Sequence, residues 1–452
     1  MEESRSRLEL LPVESIQAIQ CLIENVPDLL SIILTCKAIY KAFLSADGLI
    51  LKQVLTNEIG SEVLSEAVLA ASISRHVPVS DDVLDEPDNL KAYSNLKICD
   101  ALFLSKLHSH IVYFTKDFIS KAFSSPIFTK NSPIPMWRQL PASDEEKRRI
   151  QRTFYHFQIY CYIVYGGETP FRAHLHMDQN RIFFNHFSVW ENEQLACVHD
   201  YMFRIIAPGF DELVEYDVKW AEQRMQYASF DDPEYIEPLI ARGLFVIRDM
   251  LEAKSYERIC KAYCQDSPNY SSHLLDHGLR NSTEGSGEDE LYYWLEDYSK
   301  EDDDKYVNRS VWCDDDDKGP ELVWRWARQL FNSIDFVLCD KHRFEREWGY
   351  VMWDHSRILE LGVMENEWET TNDAENGRGS RPSKESMDRR GKIYLAGGRG
   401  WWTAEDESKV VWPHGCAPWD QPKEPDRWDS KDERSMDEAK ELIKKLKIPT
   451  LR

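Results

Sequence analysis

The chain has 452 residues, of which 42% are hydrophobic and 12% aromatic, so it can bury a large core and is long enough for two or more folded units. Its formal net charge of −24 repels phosphate backbones and anionic lipids, which argues against a nucleic-acid or membrane partner. It has no apolar stretch of the ~18 residues that a spanning helix needs, and no signal-peptide pattern. Its ten cysteines are scattered along the chain, which favours reduced thiols and a location in the cytoplasm or nucleus.

The N-terminal segment, residues 8–50, is predicted to form a short helical hairpin. Pro12 suits the first turn of a helix, because its missing N–H group needs no partner there. Ile16 and Ile19 follow at helical spacing and begin an apolar stripe. Asp28 is expected to cap the next helix, whose apolar residues again recur at helical spacing.

Helical periodicity dominates the rest of the chain, and alternating strand patterns are scarce. The sequence therefore predicts a mainly α-helical fold, in which residues 51–365 form a large irregular helical body. Within that body, residues 266–320 are polar and are expected to form a long loop, with the acidic run 314–317 in solvent. Residues 366–390 are rich in Gly, Ser, Asn and charge and are expected to be flexible. Residues 391–452 are expected to form a Trp-rich irregular segment that ends in a C-terminal helix.

The order of residues in the hairpin resembles a known module. The pattern runs Leu11-Pro12-x-Glu14, a short amphipathic helix, Asp28-Leu29, and Leu34-x-Cys36-Lys37. It is similar to the F-box, a small helical module that docks on the Skp adaptor of cullin-based ubiquitin ligases while the rest of each chain holds a target. The resemblance implies a non-catalytic adaptor with an Skp-type partner and an unidentified target protein. The chain departs from the family at Ile39 and Tyr40, where a Trp usually follows the Cys.

The hairpin is also the predicted partner-binding site. About fifty residues bury too little surface to be firmly stable alone, so apolar residues on the outer face of such a module are expected to contact another helical protein. The residues expected to face that partner are Leu11, Pro12, Ile16, Ile19, Leu29 and Leu34.

A second resemblance covers more of the chain. Residues 190–199 and 348–354, together with the hairpin and residues 51–58, are similar to long F-box-like proteins of filamentous fungi. This resemblance implies a class of protein and no particular target.

Three other interpretations remain open at this stage. The hairpin can be an ordinary part of an all-helical core, or the chain can be a scaffold outside ubiquitin ligases. It can also be a metal-dependent enzyme, because His174, His176 and Asp178 would point to one side of a strand and could bind zinc or iron.

The glycines at 397–400 lack the features of a phosphate loop. No cofactor is expected.

Several residues of the body are assigned structural roles. Trp190, Trp348 and Trp353 are predicted to anchor the core, because they lie in stretches that are too apolar to leave in water. Glu191 and Glu193 lie at the start of a predicted helix and point to different faces, so they are expected to complement the helix dipole.

Overall fold

A computed structural model describes residues 8–75, 84, 96–125, 127, 141–165, 179–223, 225–230, 235–263, 274–282, 315–328, 337–365 and 381–413. This part of the chain is mainly helical, which confirms the predicted fold class. The chain divides into two compact units, which are Met1–Phe210 with Ala228–Gly379 and Asp211–Tyr227 with Ser380–Arg452.

The helices follow one another closely along the chain. In order they are α1 (Val13–Cys21), α2 (Val26–Ile33), α3 (Lys37–Leu44), α4 (Asp47–Ile59), α5 (Leu64–Arg75), α6 (Ile98–Phe123), α7 (Asp144–Tyr165), α8 (Gln179–Ile182), α9 (Val189–Tyr216), α10 (Val218–Glu222), α11 (Glu237–Ile240), α12 (Gly243–Glu252), α13 (Tyr256–Tyr263), α14 (Leu274–Arg280), α15 (Gly319–Ala327), α16 (Arg343–Glu347), α17 (His355–Leu361) and α18 (Lys384–Leu395). Short 3-10 helices lie at Leu8–Leu10, Phe184–His186, Asp340–His342, Tyr350–Met352 and Val363–Glu365. Two short strands, β1 (Arg399–Gly400) and β2 (Val410–Val411), pair antiparallel in the second unit.

The N-terminal hairpin consists of α1, α2 and α3 around a small core. Ile16 of α1 packs with Ile39 and Ala42 of α3. The side-chain amides of two glutamines on α1 donate to backbone carbonyls of α3: Gln20 to Ile39 at 3.1 Å and Gln17 to Ala42 at 3.0 Å. These contacts fix α1 against α3, and α1 also packs on α4.

The residue that caps α2 differs from the one predicted. Asn25, rather than Asp28, precedes the helix, and its side-chain oxygen accepts a hydrogen bond from the Asp28 N–H group at 2.9 Å. Pro27 therefore lies in the first turn, where a residue without an N–H group is tolerated. The helix begins before this proline instead of after it.

The hairpin is joined to the body through α4. The predicted module boundary at residue 50 falls inside this helix, and Ile50 and Leu51 on either side of it are buried. The Glu58 carboxylate of α4 accepts hydrogen bonds from the Val26 N–H group at 3.0 Å and from the Ser105 hydroxyl of α6 at 2.6 Å. One carboxylate thus links the hairpin to the first long helix of the body.

Aromatic packing holds the long helices of the body together. Phe118 of α6, Phe154 of α7 and Tyr201 of α9 lie in mutual contact, with ring centroids 5.3–6.4 Å apart. Edge-to-face pairs of this kind add to the apolar area that the rings bury. Gly349, just before the Tyr350–Met352 turn, has a φ of 65°, and a Cβ there would lie 2.7 Å from Phe118. Both features favour glycine at that position.

The three tryptophans assigned to the core have different surroundings. Trp348 and Trp353 are buried, and the Trp353 indole N–H group donates to the Trp348 carbonyl at 2.8 Å. The ring of Trp353 also stacks on Phe123, with centroids 5.1 Å apart. Trp190 is only half-buried. It therefore keeps part of its ring on the surface of the first unit.

The polar segment 266–320 contains more structure than predicted. It includes helix α14 and the start of α15. Asp315, which was expected in solvent, forms an ion pair with the buried Arg149 guanidinium at 2.5 Å. A carboxylate oxygen of Asp317 accepts from the Gly319 and His355 N–H groups at 2.7 and 2.9 Å. Two carboxylates of the acidic run, Asp315 and Asp317, thus have partners that lie far away in sequence, whereas Asp316 is exposed as predicted.

The second unit contains α10, α18 and the two strands. Val218, Ile393, Trp402 and Val410 form its apolar cluster. The Arg390 guanidinium is buried and donates to the carbonyls of Val214 and Asp217 at 2.8 and 2.9 Å. Residues 384–390, which were expected to be flexible, therefore form the first part of a helix that is capped by Ser383. Residues 366–380 and the predicted C-terminal helix lie outside the described residues.

Candidate partner-binding surface

The N-terminal hairpin carries an unusual share of the exposed apolar surface. Sixteen large hydrophobic side chains are exposed among the described residues, and ten of them lie between positions 8 and 49. The ten are Leu8, Leu10, Leu11, Val13, Ile19, Leu22, Leu34, Tyr40, Leu44 and Leu49. Concentrated apolar exposure of this kind is typical of protein-interaction sites, whereas single exposed apolar residues are common everywhere.

Four of the six predicted contact residues lie on the surface. Leu11, Pro12, Ile19 and Leu34 are all exposed, and Leu34 exposes 71% of its area. Leu11 and Pro12 lie in the turn that leads into α1, and Ile19 lies two turns further along that helix. These side chains are available to a partner without any change in the hairpin.

The other two predicted contact residues are in the core, which corrects the sequence-based assignment. Ile16 packs against α3 and is 4% exposed, and Leu29 is fully buried with Val26 and Ile33 on the inner face of α2. The physical reason is that a hairpin this small needs its central apolar residues for its own stability. Helical spacing identifies an apolar stripe but does not say which of its residues the neighbouring helix covers.

Tyr40 supplies an aromatic ring on the outer face of α3. It is 44% exposed, whereas its neighbour Ile39 is buried. Leu44 lies one turn further on and is also exposed, so the two side chains share a face. Lys37 and Lys41 are exposed on the same helix. An apolar surface with a charged rim is the usual composition of a protein interface.

The candidate metal ligands His174, His176 and Asp178 lie outside the described residues. Within the described ranges, no three or more His, Cys, Asp and Glu side chains come together in a way that could hold a metal ion.

A buried ionic cluster in the body was missed by the sequence analysis. His199 of α9 lies between the carboxylates of Asp200, at 3.0 Å, and Glu237, which it contacts through Nε2. Asp200 also accepts from Arg346 Nε at 2.6 Å, and the same guanidinium lies 3.6 Å from Glu193. Glu193 was assigned to the helix dipole, yet it is fully buried. The only sequence signal was the density of charge within an otherwise apolar helix.

The cluster keeps its charges because they are paired. Burial alone would lower the pKa of His199, but the carboxylates of Glu237 and Asp200 outweigh it and raise the pKa to about 10. Burial alone would raise the pKa of Asp200, but Arg346 and His199 hold it well below its usual range. The cavity beside these residues is only about 10 Å³, too small for a substrate. The arrangement connects α9, α11 and α16.

Comparisons with known proteins leave the chain without a match among family models, curated proteins or solved structures. Across the described ranges, none of the helices combines the length and apolar character required to cross a bilayer.

Proposed function

We propose that this protein is a non-catalytic adaptor of the F-box-like type. Its N-terminal hairpin would bind an Skp-type adaptor protein, and its helical body would hold a target for a cullin-based ubiquitin ligase. The observation that supports this proposal is the concentration of exposed apolar side chains on the hairpin, which carries ten of the sixteen found in the described residues.

In this proposal the buried residues of the hairpin stabilise it and the exposed ones contact the partner. Ile16 and Leu29 form the core beneath the surface, while Ile19 and Leu34 point away from it. Covering exposed apolar side chains contributes roughly 25 cal/mol per Å² removed from water. Several such side chains on one small module therefore suit a stable protein partner. Tyr40 adds the kind of amphipathic ring that is enriched at interfaces.

The decisive experiment is capture of a purified Skp-type adaptor by the full-length chain. The double variant Ile19→Asp with Leu34→Asp introduces two charges that binding would have to desolvate, so we expect capture to fall to background. The matched control is Leu359→Asp, because Leu359 is 55% exposed on α17, outside the hairpin. This control should bind as the wild type does.

Unfolding must be separated from loss of binding. Both altered side chains of the double variant are exposed, so its melting temperature should remain close to that of the wild type. A double variant that melts normally and still captures the adaptor at the wild-type level would rule out this surface. If the wild type captures no Skp-type adaptor, the adaptor role itself is wrong and a scaffold outside ubiquitin ligases takes its place.

A further inference from the structure

A cavity of about 270 Å³ lies in the first unit, away from the hairpin. Its walls come from α7, from the start of α9 and from the acidic segment that precedes α15. Since one water occupies about 30 Å³ of the liquid, the cavity is large enough for an organic ligand. Its function does not depend on the proposed adaptor role.

Most of the carboxylates on the wall of this cavity form no ion pair within the described residues. Glu191, Asp316 and Asp317 line it, and none of them lies within ion-pair distance of a cation in the described residues. The arginines of the wall are already neutralised: Arg149 by Asp315 at 2.5 Å and Arg152 by Glu66 at 3.0 Å. One exposed lysine, Lys318, remains at the cavity. The balance of unpaired charge is negative and favours a cationic ligand.

Glu191 has one oxygen that a ligand would satisfy. Its side chain is 4% exposed, and Oε2 accepts from the Ser188 N–H and hydroxyl groups at 2.8 and 2.7 Å, which caps α9. Oε1 is buried and has no hydrogen-bond partner. An unpaired buried carboxylate oxygen is unfavourable by a few kcal/mol as a rule. Glu191 lines the cavity, so a small rotation of its carboxylate would bring this oxygen to a charged N–H donor bound there and remove the penalty.

Two further features restrict the chemistry of the ligand. The half-buried Trp190 ring lies on the cavity wall, and an indole face attracts organic cations strongly. Arg149, a basic residue of the same wall, has a buried Nη2 atom without a hydrogen-bond partner. It offers a hydrogen bond to a neutral acceptor such as a carbonyl oxygen, since the guanidinium charge is already balanced by Asp315 and Asp354.

We propose that this cavity binds an organic cation, a guanidinium or primary ammonium group, between the Glu191 carboxylate and the Trp190 ring. The acidic side chains Asp316 and Asp317 add long-range attraction. A cation of this kind can come from an arginine or lysine side chain of another polypeptide or from a free polyamine. The two sources share the chemistry that the cavity recognises.

Calorimetric titration of the full-length chain tests the proposal. The probes are Nα-acetyl-L-arginine amide, Nα-acetyl-L-lysine amide and spermidine, with Nα-acetyl-L-citrulline amide as the uncharged analogue of arginine. We expect saturable binding of a cationic probe and none of citrulline amide. Tighter binding of the amino-acid amides supports a polypeptide ligand, and tighter binding of spermidine supports a free polyamine.

Two variants locate the site. Glu191→Gln keeps an oxygen that can cap α9 but removes the charge, and it should weaken cation binding about tenfold or more. Asp316→Asn removes a negative charge from the cavity wall and should weaken binding. Because Asp316 is exposed, this variant should fold as the wild type does. Glu360→Gln, an exposed glutamate on α17, is the matched control and should bind as the wild type does. Absence of saturable binding by all cationic probes, equal binding of citrulline amide, or unchanged affinity in both cavity variants would overturn the proposal.

Discussion

Arg346 is a buried cation of the ionic cluster in the first unit. Its guanidinium is 1% exposed and lies between the carboxylates of Asp200 and Glu193, and it also donates to the Cys339 carbonyl at 2.7 Å. Burial lowers the pKa of Arg346 in isolation, but Asp200 and Glu193 raise it above its usual range, so the charge is retained. Such a cation stabilises the fold because it neutralises carboxylates that are buried with it.

Replacing Arg346 with leucine should therefore destabilise the protein strongly. The substitution keeps apolar volume but leaves two buried carboxylates short of a cation, and breaking a buried pair in this way typically costs about 3–5 kcal/mol. Lys147→Ala is the control, because Lys147 pairs with Asp144 at the surface and exposed pairs often contribute nothing measurable. Urea unfolding followed by circular dichroism would measure both changes. Similar, small shifts in the two variants would contradict the role given to Arg346.

At the level of single residues, the sequence predicts side-chain type better than side-chain environment. The apolar stripe of α1 was predicted, yet Ile16 is covered by α3 while Ile19 is 40% exposed. Likewise, Trp348 and Trp353 are buried as predicted, whereas Trp190 is only half-buried and lies at a cavity. Periodicity describes one helix, whereas burial depends on what packs against it. That information is not local.

At the level of elements, most helices follow from local signals. Ser143 is a residue type favoured at helix N-termini, and its hydroxyl accepts from the Glu146 N–H group at 3.0 Å at the start of α7. The reciprocal bond from the Ser143 N–H group to Glu146 completes a capping box. Asp28 was predicted to cap α2, whereas the helix begins at Val26 and has Pro27 in its first turn. Proline at the second helical position and proline before a helix look alike in sequence, so only the structure distinguishes them.

The cap of α2 is testable because Asn25 has one well-defined function. Its side chain accepts from the Asp28 N–H group, and alanine there would leave that donor without a protein partner. Asn25→Ala should lower the free energy of unfolding by about 1 kcal/mol, the usual effect of losing an N-cap. Ser31→Ala is the control within the same helix, since the Ser31 hydroxyl only donates back to the Pro27 carbonyl. An Asn25 variant as stable as the Ser31 variant would show that the cap contributes nothing.

At the level of the whole molecule, the contacts that the sequence could not supply are the long-range ionic ones. Arg149 meets Asp315 across 166 positions, and Arg346 meets Asp200 across 146. No local pattern links such residues, since opposite charges are frequent along the whole chain. The same limit applies to the candidate cation site, whose walls come from three distant segments. The hairpin is local by comparison, since its residues lie within about forty positions of one another, and four of the six residues predicted for its surface are exposed.

Buried histidines predict how the stability of the molecule depends on pH. Burial lowers the pKa of His108 to about 4 and that of His156 to about 3, from a usual value of 6.5. The unfolded chain therefore binds more protons than the folded protein just below pH 6.5, and stability falls as the pH decreases. The pKa of His199, in contrast, is raised to about 10, so its contribution is complete below pH 6.5 and is lost as the pH rises towards 10.

We therefore expect the free energy of unfolding to be highest near pH 6.5 and to fall on both sides. One proton corresponds to a slope of at most about 1.4 kcal/mol per pH unit. Urea titrations between pH 5 and 8.5 would measure this slope. Above pH 8.5 the cysteine thiols of the unfolded chain ionise, whereas burial raises the pKa of Cys161 in the folded protein, so thiol ionisation would add to the decline. His199→Gln should be less stable at pH 6.5, because Glu237 loses its cation, and should lose the decline between pH 6.5 and 8.5. His355→Gln, outside the cluster, should keep that decline. A wild type equally stable at pH 6.5 and 8.5 would mean that His199 is not charged in the folded protein.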